Sequence, residues 1–462
     1  MHRALLIAEI QLYIFNQILE TQTLYALART CQAFSETALN VLWGNLGCFP
    51  RLIQCMPGDL WKKSETDEPE GRFSCFPRTQ SHFLALRRPI SLSDWAILQK
   101  YTRRVRSVRG PNRHYGSGTR ITIDDGLLLE LCALSAPTPL LPNLTSLTWH
   151  IISDVHLSAL QQLVPSSLRS LDLHFECNPF GRLSLDPNST TQFPFAQIFP
   201  SLKFLAVNPG SDFPTSVYEG LQPSISRLQS LDMIIWHDLR SETIMLLAHL
   251  PALAEATFDV PSYFSEYVES LPPRSSMRKL PFSKVRKLFI RYSIPVAVLS
   301  FLNYFTFDWT PYILVSLASS SSRNIRSLRV DGWWPRIPKE SRTEYSPLTK
   351  HKLGPLLHFK ELQHLSIRIQ CSIILNDADL LEMADAWPNL ITLRLDGYPR
   401  PVSRVTPYAL VALLDRCPKL NTLSIQVDFS AIDRADFDPS SIADLFNSCH
   451  RNRRDLRDLC FG

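Results

Sequence analysis

A short phrase recurs along this chain: apolar, two residues, apolar, one residue, apolar, usually introduced by proline. It reads LPNLTSLTW at 141–149, SSLRSLDL at 166–173, FPSLKFLAV at 199–207 and SRLQSLDM at 226–233. Looser copies are LPALAEATF at 250–258, SKVRKLFI at 283–290, RNIRSLRV at 323–330, KELQHLSI at 360–367, WPNLITLRL at 387–395 and CPKLNTLSI at 417–425. The second and third apolar positions, such as Leu171 and Leu173, are two apart, which sets both on one face of a strand. Between phrases the spacing turns helical. Leu410, Leu413, Leu414 and Cys417 follow Thr406-Pro407, and Ile442, Leu445, Phe446 and Cys449 follow Asp438-Pro439-Ser440. Thr406 and Thr310 stand where an N-cap belongs, each with proline at the first helical position. Each unit therefore reads strand, loop, helix. Parallel stacking would bury the helices against one side of a sheet and leave the other side outward.

The phrase resembles the strand motif of the leucine-rich repeat. It departs from that family in its spacing, since successive first apolar positions lie 24 to 40 residues apart from Leu144 to Leu420. It also lacks the asparagine or cysteine of the motif; Cys177 and Cys371 fall one place late. The expected fold class is α/β, with an irregular leucine-rich-repeat solenoid, parallel strands on the concave face and helices on the convex face. A non-repeating α/β domain with similar strands is the alternative. Proline supplies 34 of 462 residues and glycine only 15, against usual shares of ~5% and ~7%. Pro142, Pro200, Pro251, Pro388 and Pro418 each stand two residues before a first leucine, where proline would stop a helix and extend the chain. The scarcity of glycine disfavours folds that cradle phosphate on glycine-rich turns.

The segment 5–43 contains no repeat phrase. Ile10, Ile14, Phe15 and Ile18 follow helical spacing, as do Leu24, Leu27, Ala28 and Cys31, and then Phe34, Ala38, Leu39 and Leu42. The run Leu6-Ile7-Ala8-Glu9-Ile10, then Ile14-Phe15, Leu24, Leu27-Ala28, Cys31, Phe34, Ala38 and Leu42-Trp43 resembles an F-box, with Ala8 where that family prefers proline. Together with CFPRLIQCMPGDLW at 48–61 and LRRPISLSDWAILQKYTRRVRSVR at 86–109, the chain resembles the F-box proteins of mushroom-forming (basidiomycete) fungi, which carry degenerate repeats. The resemblance implies a three-helix F-box over 1–45, a linker with connecting helices over 46–100 and a repeat array over 101–462. It also implies a substrate-recognition subunit of a Skp-cullin-F-box ubiquitin ligase, docked on a Skp-type adaptor and through it on a cullin-RING ligase. The adaptor-binding residues would be Leu6, Glu9, Ile10, Ile14, Phe15, Leu24, Leu27, Phe34, Leu42 and Trp43. The same residues could instead form a core against the first repeat, and both can hold for different faces. A non-catalytic repeat scaffold without ligase function is the alternative.

The chemistry of an enzyme is not evident. No GxSxG, GxxxxGK, HExxH, GxGxxG or calcium-loop pattern occurs, and the twelve histidines show no metal-ligand spacing. The reading is a non-enzyme with no cofactor and no metal. Net charge is +5, from 48 basic and 43 acidic residues, which does not call for nucleic acid. The run Arg103, Arg104, Arg106, Arg109 and Arg113 lacks interleaved aromatics and reads as solvated charge. The ten cysteines contain no CxxC pair and read as reduced and mostly buried. The absence of a signal peptide or spanning segment points to the cytoplasm and/or nucleus, with no membrane partner. Residues 62–85 read as an exposed connection, and 331–352, with Trp333, Trp334 and Tyr345, as a polar insertion.

If the apolar strand positions point inwards, the alternate ones line the outward face. These are Thr148 and His150, Asp172 and His174, Ala206 and Asn208, Asp232 and Ile234, Thr257 and Asp259, Phe289 and Arg291, Arg329 and Asp331, Ser366 and Arg368, Arg394 and Asp396, Ser424 and Gln426. Of these, His150, His174, Arg291, Arg329, Asp331, Arg368, Arg394 and Asp396 are the candidates for holding a protein substrate. Earlier units offer Asp172, Asp232 and Asp259, and later ones offer Arg291, Arg329, Arg368 and Arg394 paired with Asp331 and Asp396, which would suit a partner with a basic and then an acidic stretch.

Overall fold

The structure is a computed structural model that describes residues 7–18, 20–65, 81–109, 120–175, 193–208, 225–236, 247, 250–260, 284–292, 325–332, 347–369, 372–397, 404–428 and 458–461. Leu6, Arg113, Thr310, Trp333, Trp334, Tyr345 and the helix expected over 442–449 lie outside these residues. The chain divides into two compact units, Met1–Leu231 and Asp232–Gly462.

The first unit opens with three helices, α1 (Ala8–Asn16), α2 (Thr21–Thr30) and α3 (Gln32–Gly44), around a small core of Phe15, Leu24 and Ala38. Helix α3 runs directly into β1 (Asn45–Leu46), which pairs in parallel with β4 (Ser107–Val108). The sheet continues through β6 (Ser146–Ile151), β7 (Ser170–Phe175) and β8 (Phe204–Asn208), all parallel. The repeat sheet thus begins at Asn45, well before residue 101. Residues 62–85 are not wholly a connection, because β2 (Trp61–Glu65) and β3 (Ser81–Leu86) form an antiparallel pair, with β5 (Arg120–Ile123) parallel to β3. The run SHFLAL at 81–86 has adjacent apolar residues, Phe83 and Leu84, and so lacks the polar-apolar alternation that marks a strand in sequence.

The second unit carries eight parallel strands in the order β9 (Met233–Trp236), β10 (Glu255–Val260), β11 (Lys287–Tyr292), β12 (Ser327–Gly332), β14 (His364–Ile369), β16 (Thr392–Gly397), β17 (Thr422–Ile425) and β18 (Asp458–Phe461). A two-stranded pair, β13 (Leu348–Thr349) with β15 (Ile373–Ile374), stands apart. Helices Asp377–Ala386 and Pro407–Arg416 pack on each other and bury Leu380, Met383, Leu410, Leu413 and Leu414. Each unit is a mixed α/β stack on a parallel sheet, of the leucine-rich-repeat-like kind.

Two main-chain devices explain why the phrase recurs. First, the carbonyl of the residue after the first apolar position accepts from two successive N–H groups of the next repeat. In the first unit Arg106 receives Thr145 (2.8 Å) and Ser146 (3.2 Å), and Thr145 receives Arg169 and Ser170 (both 3.0 Å). The second unit repeats this through Asp232, Ala254, Arg286, Arg326, Gln363 and Ile391. A main-chain ladder needs no particular side chain, so the intervening positions of the phrase vary. Second, proline occupies a turn. In Leu141-Pro142-Asn143-Leu144, Phe199-Pro200-Ser201-Leu202, Trp387-Pro388-Asn389-Leu390 and Cys417-Pro418-Lys419-Leu420, the last N–H bonds the first carbonyl at 3.1–3.2 Å. Proline therefore sits second in a four-residue turn, where its fixed φ is already correct, and does not simply extend the chain. The residue before it is buried in every one of these turns.

One repeat is placed differently from its sequence reading. Ile234 and Trp236 are buried and Ile234 is the register partner of Ala256, while Met233 is half-buried. The phrase there is Leu231-x-x-Ile234-x-Trp236, three residues later than Leu228-x-x-Leu231-x-Met233. Both readings fit the pattern; the later one buries the larger pair. Ile234 therefore leaves the outward set, and Ala206 and Thr257 are also buried.

Among the described residues, helix N-termini are joined across repeats. Asp125, first in α6 (Asp125–Ser135), accepts Ser153 Oγ (2.8 Å) at the N-cap of α7 (Asp154–Leu163) and lies 3.1 Å from His156 Nδ1. In the second unit Asp377, first in its helix, accepts the Thr406 N–H (2.6 Å) and hydroxyl (2.7 Å) at the N-cap of Pro407–Arg416. The acid that favours its own helix dipole also holds the N-cap residue of the next helix in place.

Candidate functional site

Helix α1 has the sequence AEIQLYIFN, apolar nearly all round, yet only Gln11 and Phe15 are buried. Gln11 faces inwards because its Oε1 accepts the hydroxyl of Thr37 on α3 at 2.7 Å, a buried polar pair. A buried amide needs such a partner. The apolar residues around it are left outside: Ile7, Ile10, Leu12, Tyr13 and Ile14 are 47, 37, 39, 72 and 40% exposed. Ile7, Ile10 and Ile14 stand at i, i+3 and i+7, so they form one stripe.

The expected adaptor-binding residues divide accordingly. Ile10 and Ile14 are exposed on the stripe, and Glu9 is exposed in the first turn. Phe15 and Leu24 are turned inwards as the core itself, with the Phe15 ring edge-on to Phe34 at 5.6 Å. A surface that presents Phe15 and Leu24 is therefore corrected: both hold the helices together. Leu27, Phe34 and Leu42 are half-buried against that core. Trp43 is half-buried with its ring 4.4 Å from that of Tyr101 on α5 (Leu92–Thr102). Arg104 of the arginine run bonds Glu36 Oε2 at 2.7 Å and also Asn40, tying α3 to the end of α5. The exposure of Ile7 and Tyr13 was missed, because apolar periodicity alone assigns such residues to a core; the signal was Gln11 inside an otherwise apolar helix.

On the outward face of the first unit, His150 and His174 are register partners whose rings stack at 4.9 Å and 15°. His174 Nε2 lies 3.1 Å from Asp172 Oδ2 and its Nδ1 lies 3.2 Å from Asn208 Nδ2. In the second unit, Asp259, Arg291, Asp331, Arg368 and Asp396 are successive register partners on five adjacent strands. The neighbouring row is Thr257, Phe289, Arg329, Ser366, Arg394 and Ser424. Arg291 bonds Asp259 at 2.6 Å, Arg329 bonds Asp331 at 2.5 Å, and Arg368 lies 3.5 Å from Asp396, which also accepts Ser424 Oγ at 2.6 Å. The Arg329 guanidinium lies over the Phe289 ring at 4.8 Å. Acidic and basic positions alternate along the row from Asp259 to Asp396, whereas the neighbouring row carries only the basic Arg329 and Arg394. Separate lists of residues show composition, and only strand register shows which charges are neighbours.

Of the described cysteines, Cys132 and Cys417 are buried, but Cys31, Cys48 and Cys55 are half-buried, so burial is less general than expected. Burial pushes the thiols of Cys55 and Cys132 up to about 11. No helix among the described residues is long and apolar enough to cross a membrane.

No protein-family model matches the chain. No curated protein matches it either. Among solved structures it is similar to the Rad7 and Elc1 complex of yeast, at 14% identity over 72% of this chain and 81% of that chain, with a TM-score of 0.27. It is also similar to the TLR13–ssRNA13 complex, at 13% identity over 70% of this chain and 50% of that chain, with a TM-score of 0.27.

Proposed function

We propose that this chain is the substrate-recognition subunit of a Skp-cullin-F-box ubiquitin ligase, working in the cytoplasm or nucleus. Helices α1–α3 dock on a Skp-type adaptor, and the outward sheet faces hold a protein substrate. Ubiquitin transfer belongs to other subunits, so the chain acts by binding and takes no cofactor. The observation that carries this reading is the inverted polarity of α1, with Gln11 inside and the Ile7, Ile10 and Ile14 stripe outside. An exposed apolar stripe at helical spacing is the kind of surface that a partner groove covers. Fully burying an isoleucine contributes about 1.5–3 kcal/mol, so covering the two-fifths of each that remains exposed adds roughly 2–4 kcal/mol over the three.

The test is co-purification of the chain with a Skp-type adaptor, comparing it with the double variant Ile10→Asp, Ile14→Asp. Both residues are exposed, so the helices stay folded and circular dichroism is unchanged while the adaptor is lost. An intact complex with the double variant refutes the docking reading.

A further inference from the structure

The alternating row in the second unit specifies more than a charged surface. Asp259, Arg291, Asp331, Arg368 and Asp396 follow one another across adjacent strands, which lie about 4.8 Å apart, so charges of one sign recur every ~9.6 Å. The row is partly open to solvent, with the side chains of Asp259, Arg291, Asp331, Arg368 and Asp396 31, 38, 19, 41 and 42% exposed. We infer that this row docks an α-helix of the partner protein, laid across the strands, with basic residues at i, i+7 and i+14 and acidic residues at i+4 and i+11. This rests on the reading of the outward face as the substrate surface and gives that substrate a chemistry.

Spacing selects a helix. Half a heptad advances a helix by about 5.3 Å, so five alternating positions span about 21 Å, against about 19 Å for four strand intervals. Same-face residues of an extended chain are about 6.7 Å apart, and five of them would span about 27 Å, too long to stay opposite the row. Charge order selects alternation. A helix whose charges come in blocks, or are all of one sign, places like charges opposite each other at two or more positions.

The test uses the full chain and three synthetic peptides of about 20 residues, followed by fluorescence anisotropy. The first is helical with Lys, Glu, Lys, Glu, Lys at the five positions, and the second is helical with Lys, Lys, Lys, Glu, Glu at the same positions. The third is non-helical with the alternating charges at every second residue. The alternating helix should bind at least about tenfold more tightly than either other peptide, as expected for several exposed ion pairs acting together. Equal binding, preference for the blocked or extended peptide, or no saturable binding of the alternating helix overturns the inference. A chain carrying Asp259→Arg, Arg291→Asp, Arg368→Asp and Asp396→Arg keeps each internal pair but changes the order of the row, and should lose the preference. Retained preference in that chain also overturns it, and if the variant does not fold, the peptide comparison on the unaltered chain decides alone. None of these measurements uses α1, so a failed row with adaptor binding intact is distinct from a failed docking helix.

Discussion

Replacing Phe15 with alanine should separate the two faces of the N-terminal helices. Phe15 is 5% exposed, packs edge-on against Phe34 at 5.6 Å, and among the described residues shares its small apolar core with the buried Leu24 and Ala38. Truncating a buried phenylalanine costs about 3–5 kcal/mol. At roughly 0.05–0.15 kcal/mol per residue, a segment the size of α1–α3 holds about 2–6 kcal/mol in total. Phe15→Ala should therefore open these helices as a unit, while the repeat sheets remain folded. Ile14→Ala removes a side chain already 40% exposed, and should cost no more than about 1 kcal/mol. Hydrogen exchange read by mass spectrometry measures this directly. Phe15→Ala should lose protection over residues 8–44 and leave the strands protected, whereas Ile14→Ala should keep protection throughout. Full protection of α1–α3 in Phe15→Ala, or equal loss in both variants, would refute the assignment of Phe15 to the core and Ile14 to the surface.

The joint between Asp377 and Thr406 should resist single changes poorly: Thr406→Val leaves the half-buried carboxylate short of a donor and should cost about 1–3 kcal/mol in urea unfolding. In the first unit, hydrogen bonds from His156 and then Ser153 hold the Asp125 carboxyl below the ordinary carboxylate value. A depressed carboxyl stabilises the fold above its unfolded pKa and loses that contribution as pH falls through the folded one. The stability difference between the unaltered chain and Asp125→Asn should therefore hold above about pH 5 and shrink as pH falls through the ordinary carboxylate value and then the lower folded one, followed by urea titration. Among the turns, Pro388→Ala should cost about 0.4–1 kcal/mol, because alanine fits the same turn and only the unfolded chain gains freedom. Its neighbour Trp387 is fully buried and bonds the Leu356 carbonyl at 3.2 Å, so Trp387→Ala should cost about 3–5 kcal/mol by thermal unfolding.

Several elements are legible without any structure. The strand periodicity of LPNLTSLTW, the helical spacing of Leu410, Leu413 and Leu414, and the Thr406-Pro407 helix start are local patterns whose physical cause lies within a few residues. Helix and strand each impose their own period on the side chains that must be buried. The Thr406 position is a helix N-cap as expected, yet its hydroxyl serves Asp377 of the preceding repeat and not its own helix. The slip of the phrase to Leu231, Ile234 and Trp236 was not legible, because Leu228, Leu231 and Met233 satisfy the same spacing and only stacking on Ala256 and Phe258 chooses between them. Residues 61–65 and 81–86 likewise reveal themselves as strands only through their pairing.

By itself, then, the order of residues determined the repeating strand-turn-helix unit and an N-terminal helical segment outside the repeat. Which of that segment's apolar residues face solvent was decided by tertiary contact: Gln11 turned inwards to reach Thr37, and that rotation left Ile7, Ile10 and Ile14 outside. The charge order of the outward face was decided in the same way. Asp259 and Arg291 are 32 residues apart in the chain, and nothing local relates them until the carbonyl ladder locks neighbouring repeats into register. Period is a property of one segment, whereas adjacency across a sheet is a property of the stack.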